Sequence, residues 1–150
     1  MKVIIAGSRN LTLTVPQLDY LIGHYGIEEH CISEVVSGKA RGVDTCGEKW
    51  AAAHHIAVAP FPFKTIFGKQ GGIVRNREMA DYADVLMAFL NDGSGGTMHM
   101  INHMSYIKKK PTIIFKFKNK VYDNVEYREI HEVQSRLGAA GRRIGESCPF

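Results

Sequence analysis

Five short apolar runs punctuate the chain, at residues 2–6, 33–37, 57–61, 84–90 and 112–117. They are rich in Val, Ile and Phe, and most lack polar alternation, the pattern of strands buried on both faces. Between them lie segments with helical spacing. Residues 15–25 put Val15, Leu18, Leu21 and Ile22 on one face, with Pro16 near the start, where proline is tolerated. Residues 42–55 group Val43, Cys46, Trp50 and Ala53; residues 70–82 carry Ile73, Val74, Met79 and Tyr82; residues 97–107 carry Met98, Ile101, Met104 and Ile107. The alternation predicts an α/β, Rossmann-like three-layer domain with a mainly parallel five-stranded sheet over residues 1–117. Beyond it, Asn119-Lys120 is read as a turn, and residues 124–137 have weak helical spacing through Val125, Ile130, Val133 and Leu137. Residues 118–150 are therefore expected to form a partly helical C-terminal extension with a mobile, glycine-rich end.

Composition narrows the function classes. A chain of 150 residues fits one domain and can bury a real core. Its longest apolar stretches, such as Val85–Leu90, fall far short of the roughly 20 residues of a membrane span. The opening apolar run is brief and meets a glycine turn at once, so it reads as a first strand rather than a signal peptide. Cys31, Cys46 and Cys148 are odd in number and widely spaced, which suits free thiols in a reducing cytoplasm better than a disulfide framework. The net charge of +4 favours anionic partners. Much of the excess sits at Lys108, Lys109, Lys110, Lys116, Lys118 and Lys120, read either as a solvated face or as a nucleic-acid patch.

The candidate chemistry lies in three glycine-bearing turns, each where a buried strand hands over to a helix: Ala6–Arg9, Ser37–Asp44 and Asp92–Thr97. In a parallel sheet such turns share one edge, where main-chain N–H groups and helix N-termini cradle an anion. Ligands in these folds bind beyond the carboxyl ends of the strands, where strand order reverses.

Three strings then carry a resemblance: Ile4-Ile5-Ala6-Gly7-Ser8-Arg9; Val35 to Asp44, running on to Glu48 and Trp50-Ala51; and Arg75-Asn76-Arg77-Glu78-Met79-Ala80, followed by Ala83-Asp84 and Gly96-Thr97. Together, over residues 1 to about 115, they resemble the SLOG superfamily, named after the DNA-processing protein DprA and the cytokinin-activating LOG enzymes. The resemblance is nearest its small stand-alone branch related to YspA. It implies a Rossmann-like fold, a site for a nucleotide or nucleotide derivative, and self-association as a homodimer. Faces carrying Trp50 or Met98 and Met104 are the expected dimer contacts. LOG members are phosphoribohydrolases that carry a glutamate after the glycine-threonine turn; here Met100 holds that position, and a methionine handles no proton.

Roles follow residue by residue. Gly7 makes a tight turn, Ser8 donates to phosphate, and Arg9 clamps charge. Ser37, Gly38, Arg41 and Gly42 form the second turn, in which the glycines admit close approach and Arg41 meets anionic oxygen. Asp44 either caps the following helix or accepts from a ribose or base. Arg75 faces the ligand, and Asn76 and Glu78 read base or ribose. Gly95, Gly96 and Thr97 open the fourth helix toward phosphate, with Gly93 and Ser94 as neighbouring loop. The basic loop Gly68–Gly72 either closes over ligand or merely connects. Glu78, Glu48 and Arg75 are the candidates should the chain cleave an N-glycosidic bond. The expectation is a protein that senses or sequesters a nucleotide and requires no cofactor or metal. N-glycosidase activity and nucleic-acid binding are the rivals. His99 and His103, four residues apart, lack the further partners of a metal site.

Overall fold

The structure, a computed structural model, describes residues 1–25, 27–91 and 95–136. Six strands form one sheet: β1 (Lys2–Gly7), β2 (Glu34–Ser37), β3 (Ala57–Pro60), β4 (Val85–Leu90), β5 (Thr112–Tyr122) and β6 (Val125–Arg136). Their order is β3-β2-β1-β4-β5-β6; the first five are parallel and β6 runs antiparallel to β5. Sequence order reverses between β1 and β4, which makes the crevice beyond their carboxyl ends the expected ligand position.

The helices are α1 (Val15–His24), α2 (Val43–Ala53), α3 (Gly71–Tyr82) and α4 (Gly95–Asn102), the last followed by a π turn at His103–Ile107. Strand alternation sorts the core into two layers. Val3 and Ile5 face α1 and α2, packing with Leu18, Ile22, Cys46 and Trp50. Ile4 and Ala6 face α3 and α4, packing with Met79, Ala80, Ile101 and Met104. Trp50 and Met104 are thus core residues, almost wholly buried, and do not offer the dimer contact expected of them; Met98 is exposed. Helix α1 starts where the sequence signals it: the Thr14 hydroxyl accepts from Gln17 N–H, and the Gln17 side chain accepts from Thr14 N–H.

The region after residue 117 departs from expectation. Strand β5 runs unbroken through Asn119 and Lys120, and the chain turns instead at Asp123-Asn124, both with positive φ (48° and 63°). Two such residues suit the tight turn of a twisted hairpin. Residues 125–136 are strand β6, not helix, and give the sheet its sixth strand. Leu137 and the glycine-rich segment after it, Cys148 included, lie outside the described residues. Cys46 is a buried free thiol, whereas Cys31 is not free. Among the described residues no helix is long and apolar enough to cross a membrane.

Close backbone approach dictates two glycines beneath the crevice. A Cβ at Gly7 would stand 2.1 Å from the Phe89 carbonyl oxygen. Gly42 has φ +80°, and a Cβ there would stand 2.5 Å from the Ser8 carbonyl oxygen. Gly42→Ala is expected to lower stability by about 2 kcal/mol or more in chemical denaturation. Gly23→Ala, in α1 with nothing within 4 Å of the new methyl, is expected to raise it by up to about 1 kcal/mol. A Gly42→Ala protein as stable as the parent would contradict the packing described.

A second test concerns the α1–α2 contact. His54, at the end of α2, lies between Asp19 (2.5 Å) and Glu29 (2.8 Å), and Trp50 Nε1–H donates to Asp19 (2.7 Å). Burial lowers the His54 pKa, but hydrogen bonds and charge from Asp19 and Glu29 outweigh it and raise the value above 6.5. A folded-state pKa above the unfolded one stabilises fully below about 6.5, and the gain disappears as pH rises through the raised value. The melting-temperature gap between the parent and His54→Gln should therefore be wider in mildly acidic buffer, below about pH 6.5, than in alkaline buffer.

Candidate functional site

Loops following β1 and β2, together with α3 and the start of α4, enclose a cleft of about 580 Å³ at the carboxyl edge of the sheet. The first loop supplies Gly7, Ser8, Arg9 and Asn10, and the second supplies Gly38, Ala40 and Arg41, with Asp44 from α2. Helix α3 presents Arg75, Asn76 and Met79. Helix α4 presents Gly95, Gly96, Thr97 and Met100. The first two glycine turns and the described part of the third, Gly95–Thr97, meet at this cleft as expected. Gly93 and Ser94 lie outside the described residues.

The convergence rests on a seam of backbone hydrogen bonds. Ser8 N–H donates to the Phe89 carbonyl (3.0 Å), and the Ser8 carbonyl accepts from Leu11 (3.3 Å) and Val43 (3.4 Å). The Ser8 hydroxyl accepts from Asn91 N–H at 2.8 Å. Ser8 is buried and lines the cleft, and its polar groups tie β1, β4 and α2 together, so it acts as a clamp within the fold. Gly42 likewise serves loop packing rather than ligand approach. In the second turn Lys39 N–H donates to Ser37 Oγ (3.1 Å) and Ala40 N–H to Asp44 Oδ2 (3.3 Å). The amides of Ser8, Lys39, Ala40 and Val43 are therefore engaged inside the fold, and the cradle expected at the first two turns is not built from them. The positive groups left at the cleft are the guanidinium groups of Arg9, Arg41 and Arg75 and the first turn of α4.

Ser37 does not line the cleft: its hydroxyl donates to Glu48 Oε2 (3.2 Å), while Glu48 Oε1 takes Lys39 Nζ (2.6 Å). Glu78 also points elsewhere, 3.5 Å from Lys64 Nζ. Neither glutamate stands in position to act on a ligand in the cleft. Among the described residues the cleft's carboxylate is Asp44, and Met100 occupies its wall where a LOG-type glutamate is expected.

Asp44 and Arg75 form the electrostatic centre. Arg75 Nη1 donates to the Gly38 carbonyl at 2.7 Å. A Cβ at Gly38 would meet Asp44 Oδ2 at 2.9 Å and Arg75 Nη1 at 3.1 Å, so a side chain there would displace the ends of both charged groups. Burial pushes the Asp44 pKa up to about 6, against the opposing pull of the Ala40 N–H, the Arg75 charge and the Gly7 backbone. Burial also lowers the Arg75 pKa; Asp44 opposes that shift and Arg9 adds to it. Arg75 Nε is buried without a hydrogen-bond partner. Arg9 and Arg41 are exposed and make no ion pair among the described residues. Three cations thus face one carboxylate.

Asn76 is positioned by Gly96, whose carbonyl accepts from its side-chain amide (3.2 Å), and by His99 Nδ1 at the same distance. His99 and His103 stack with centroids 6.0 Å apart; burial lowers both pKa values. Among the described residues no group of three or more His, Cys, Asp or Glu is arranged to hold a metal ion. Three of the six lysines of the run have partners among the described residues. Lys108 pairs with Asp81, Lys116 with Glu132 (3.3 Å), and Lys110 Nζ donates to the Ala80 and Ala83 carbonyls at 2.7 Å, closing the end of α3. The sequence reading missed Asn10, Met79 and an aromatic flank at Pro62-Phe63; the Phe-Pro-Phe string after β3 was the signal available.

Fold and site define a Rossmann-like α/β protein with an arginine-rich cleft at the topological switch point. No family model, curated protein or solved structure matches the chain.

The influence of the Arg75 charge on Asp44 can be checked by carbon NMR. Asp44 should titrate near 6, and removing the neighbouring cation in Arg75→Ala should move it higher. The linkage sign is opposite to that of an ordinary surface aspartate. The folded protein keeps a proton that the unfolded chain releases, so this group's contribution to stability falls as pH rises from about 4 through about 6.

Proposed function

We propose that the chain binds a phosphate-bearing nucleotide or nucleotide derivative in the cleft, as a sensor or sequestering protein with a SLOG-type site. The observation that carries this reading is the meeting of Arg9, Arg41 and Arg75, from three separate segments, around a cavity in which Asp44 is the described carboxylate. Such an excess of positive charge at a switch-point crevice is complementary to phosphate. The start of α4, with bare glycines at Gly95 and Gly96, adds the positive end of a helix. A volume of about 580 Å³ suits a small organic ligand. Binding is favoured over N-glycosidic cleavage because Glu48 and Glu78 are held in ion pairs outside the cleft. It is favoured over nucleic-acid binding because Lys108, Lys110 and Lys116 are committed within the fold.

Isothermal titration with pyrophosphate tests the reading. Arg9→Ala and Arg41→Ala are each expected to weaken binding about tenfold, the loss of one charge-assisted hydrogen bond of roughly 1.5 kcal/mol. Melting temperatures should stay within about a degree of the parent, since surface substitutions without partners cost little. Affinity indifferent to both substitutions would remove the proposal. Release of free base from an added nucleotide would replace it with the hydrolase reading.

A further inference from the structure

The arginine cluster has a second side. A smaller, open pocket of about 360 Å³ shares Arg9, Arg41 and Arg75 with the main cleft and is bordered also by Lys39, Pro62 and Phe63. The three arginines therefore line both, the glycine-lined cleft and the pocket that Phe63 borders.

Phe63 is held in an unusual way for an exposed ring. One edge is seated on the start of α3, where a Cβ at Gly71 would stand 2.8 Å from Phe63 Cε1. A Cβ at Gly72 would meet Phe63 Cε2 at 3.5 Å and Arg75 Nη2 at 3.9 Å, so ring and guanidinium converge on the same point. Bare glycines at both positions give the ring its seat, yet Phe63 is 45% exposed. A partly exposed aromatic ring lining a pocket with three cations, one of which has a buried N–H without a hydrogen-bond partner, is complementary to a planar ring that carries phosphate.

We infer that Phe63 is the stacking platform for the base of a nucleoside diphosphate whose two phosphates lie at the Arg9–Arg41–Arg75 cluster. The inference rests on the phosphate-binding reading above and adds to it the place and the means of base recognition. The main cleft then receives whatever the terminal phosphate carries. A stacked ring tolerates every base, because each has a π face, so Phe63 supplies affinity and leaves base identity to polar groups.

The test is the ratio of nucleoside-diphosphate to pyrophosphate affinity, measured by titration with ADP, GDP, CDP and UDP. In the parent at least one diphosphate is expected to bind about tenfold or more tightly than pyrophosphate, the usual scale of a base–aromatic stack. Phe63→Ala should bring that ratio close to one, and Phe63→Tyr should restore it. A ratio near one in the parent, a ratio untouched by Phe63→Ala, or a loss that Phe63→Tyr leaves unrepaired each overturns the inference. In those cases pyrophosphate binding by the parent still stands as support for the broader reading. Absence of pyrophosphate binding in the parent overturns that broader reading itself.

Discussion

The site depends on three backbones being allowed to touch. Where β1 ends, its chain lies against the end of β4 and the start of α2 at distances no side chain would permit, with Gly7 against Phe89 and Gly42 against Ser8. The Ser8 peptide unit joins the three segments by hydrogen bonds in both directions. With that seam closed, the loops that follow are brought to one edge, and the residues after each glycine are set facing a shared space. The cleft is thus a consequence of packing beneath it, and its glycines divide into those that permit assembly and those, such as Gly38, that make room for charged side chains.

Above the seam, electrostatics takes over. Burial works against both Asp44 and Arg75, raising one pKa and lowering the other, and the neighbouring Arg9 charge lowers that of Arg75 further. A fold selected only for stability gains little from such an arrangement, since desolvated charged groups seldom outperform an apolar contact. Perturbed groups gathered in a crevice are a recurring mark of binding sites.

Most of the fold was legible because parallel strands buried on both faces leave continuous apolar runs, as at Val85–Leu90, and their helices carry clean spacing. The hairpin was not. Beyond Phe117 strand β5 has lost its neighbour β4 and pairs with β6 alone, so exposed Val121, Val125 and Ile130 follow neither strict alternation nor a core stripe. The Asp123-Asn124 turn was the stronger signal there, and weak helical spacing masked it. At the site, residue identities showed which turns converge, but not how each polar group is used. Ser8, Ser37 and Glu48 have the chemistry of ligand contacts and are occupied by neighbours that only coordinates reveal. Phe63 was overlooked for the converse reason: a phenylalanine in an apolar stretch reads as core until its exposure is seen.

The two margins of the sheet differ in kind but share an outcome. On one side β3 is only four residues long and ends in Pro60, which has no N–H to offer. On the other, β6 carries Arg128, Glu129 and Glu132 along its length. Short, proline-ended or charged borders resist the addition of a foreign strand. Fibril-like growth by strand addition is discouraged at both ends of the ladder.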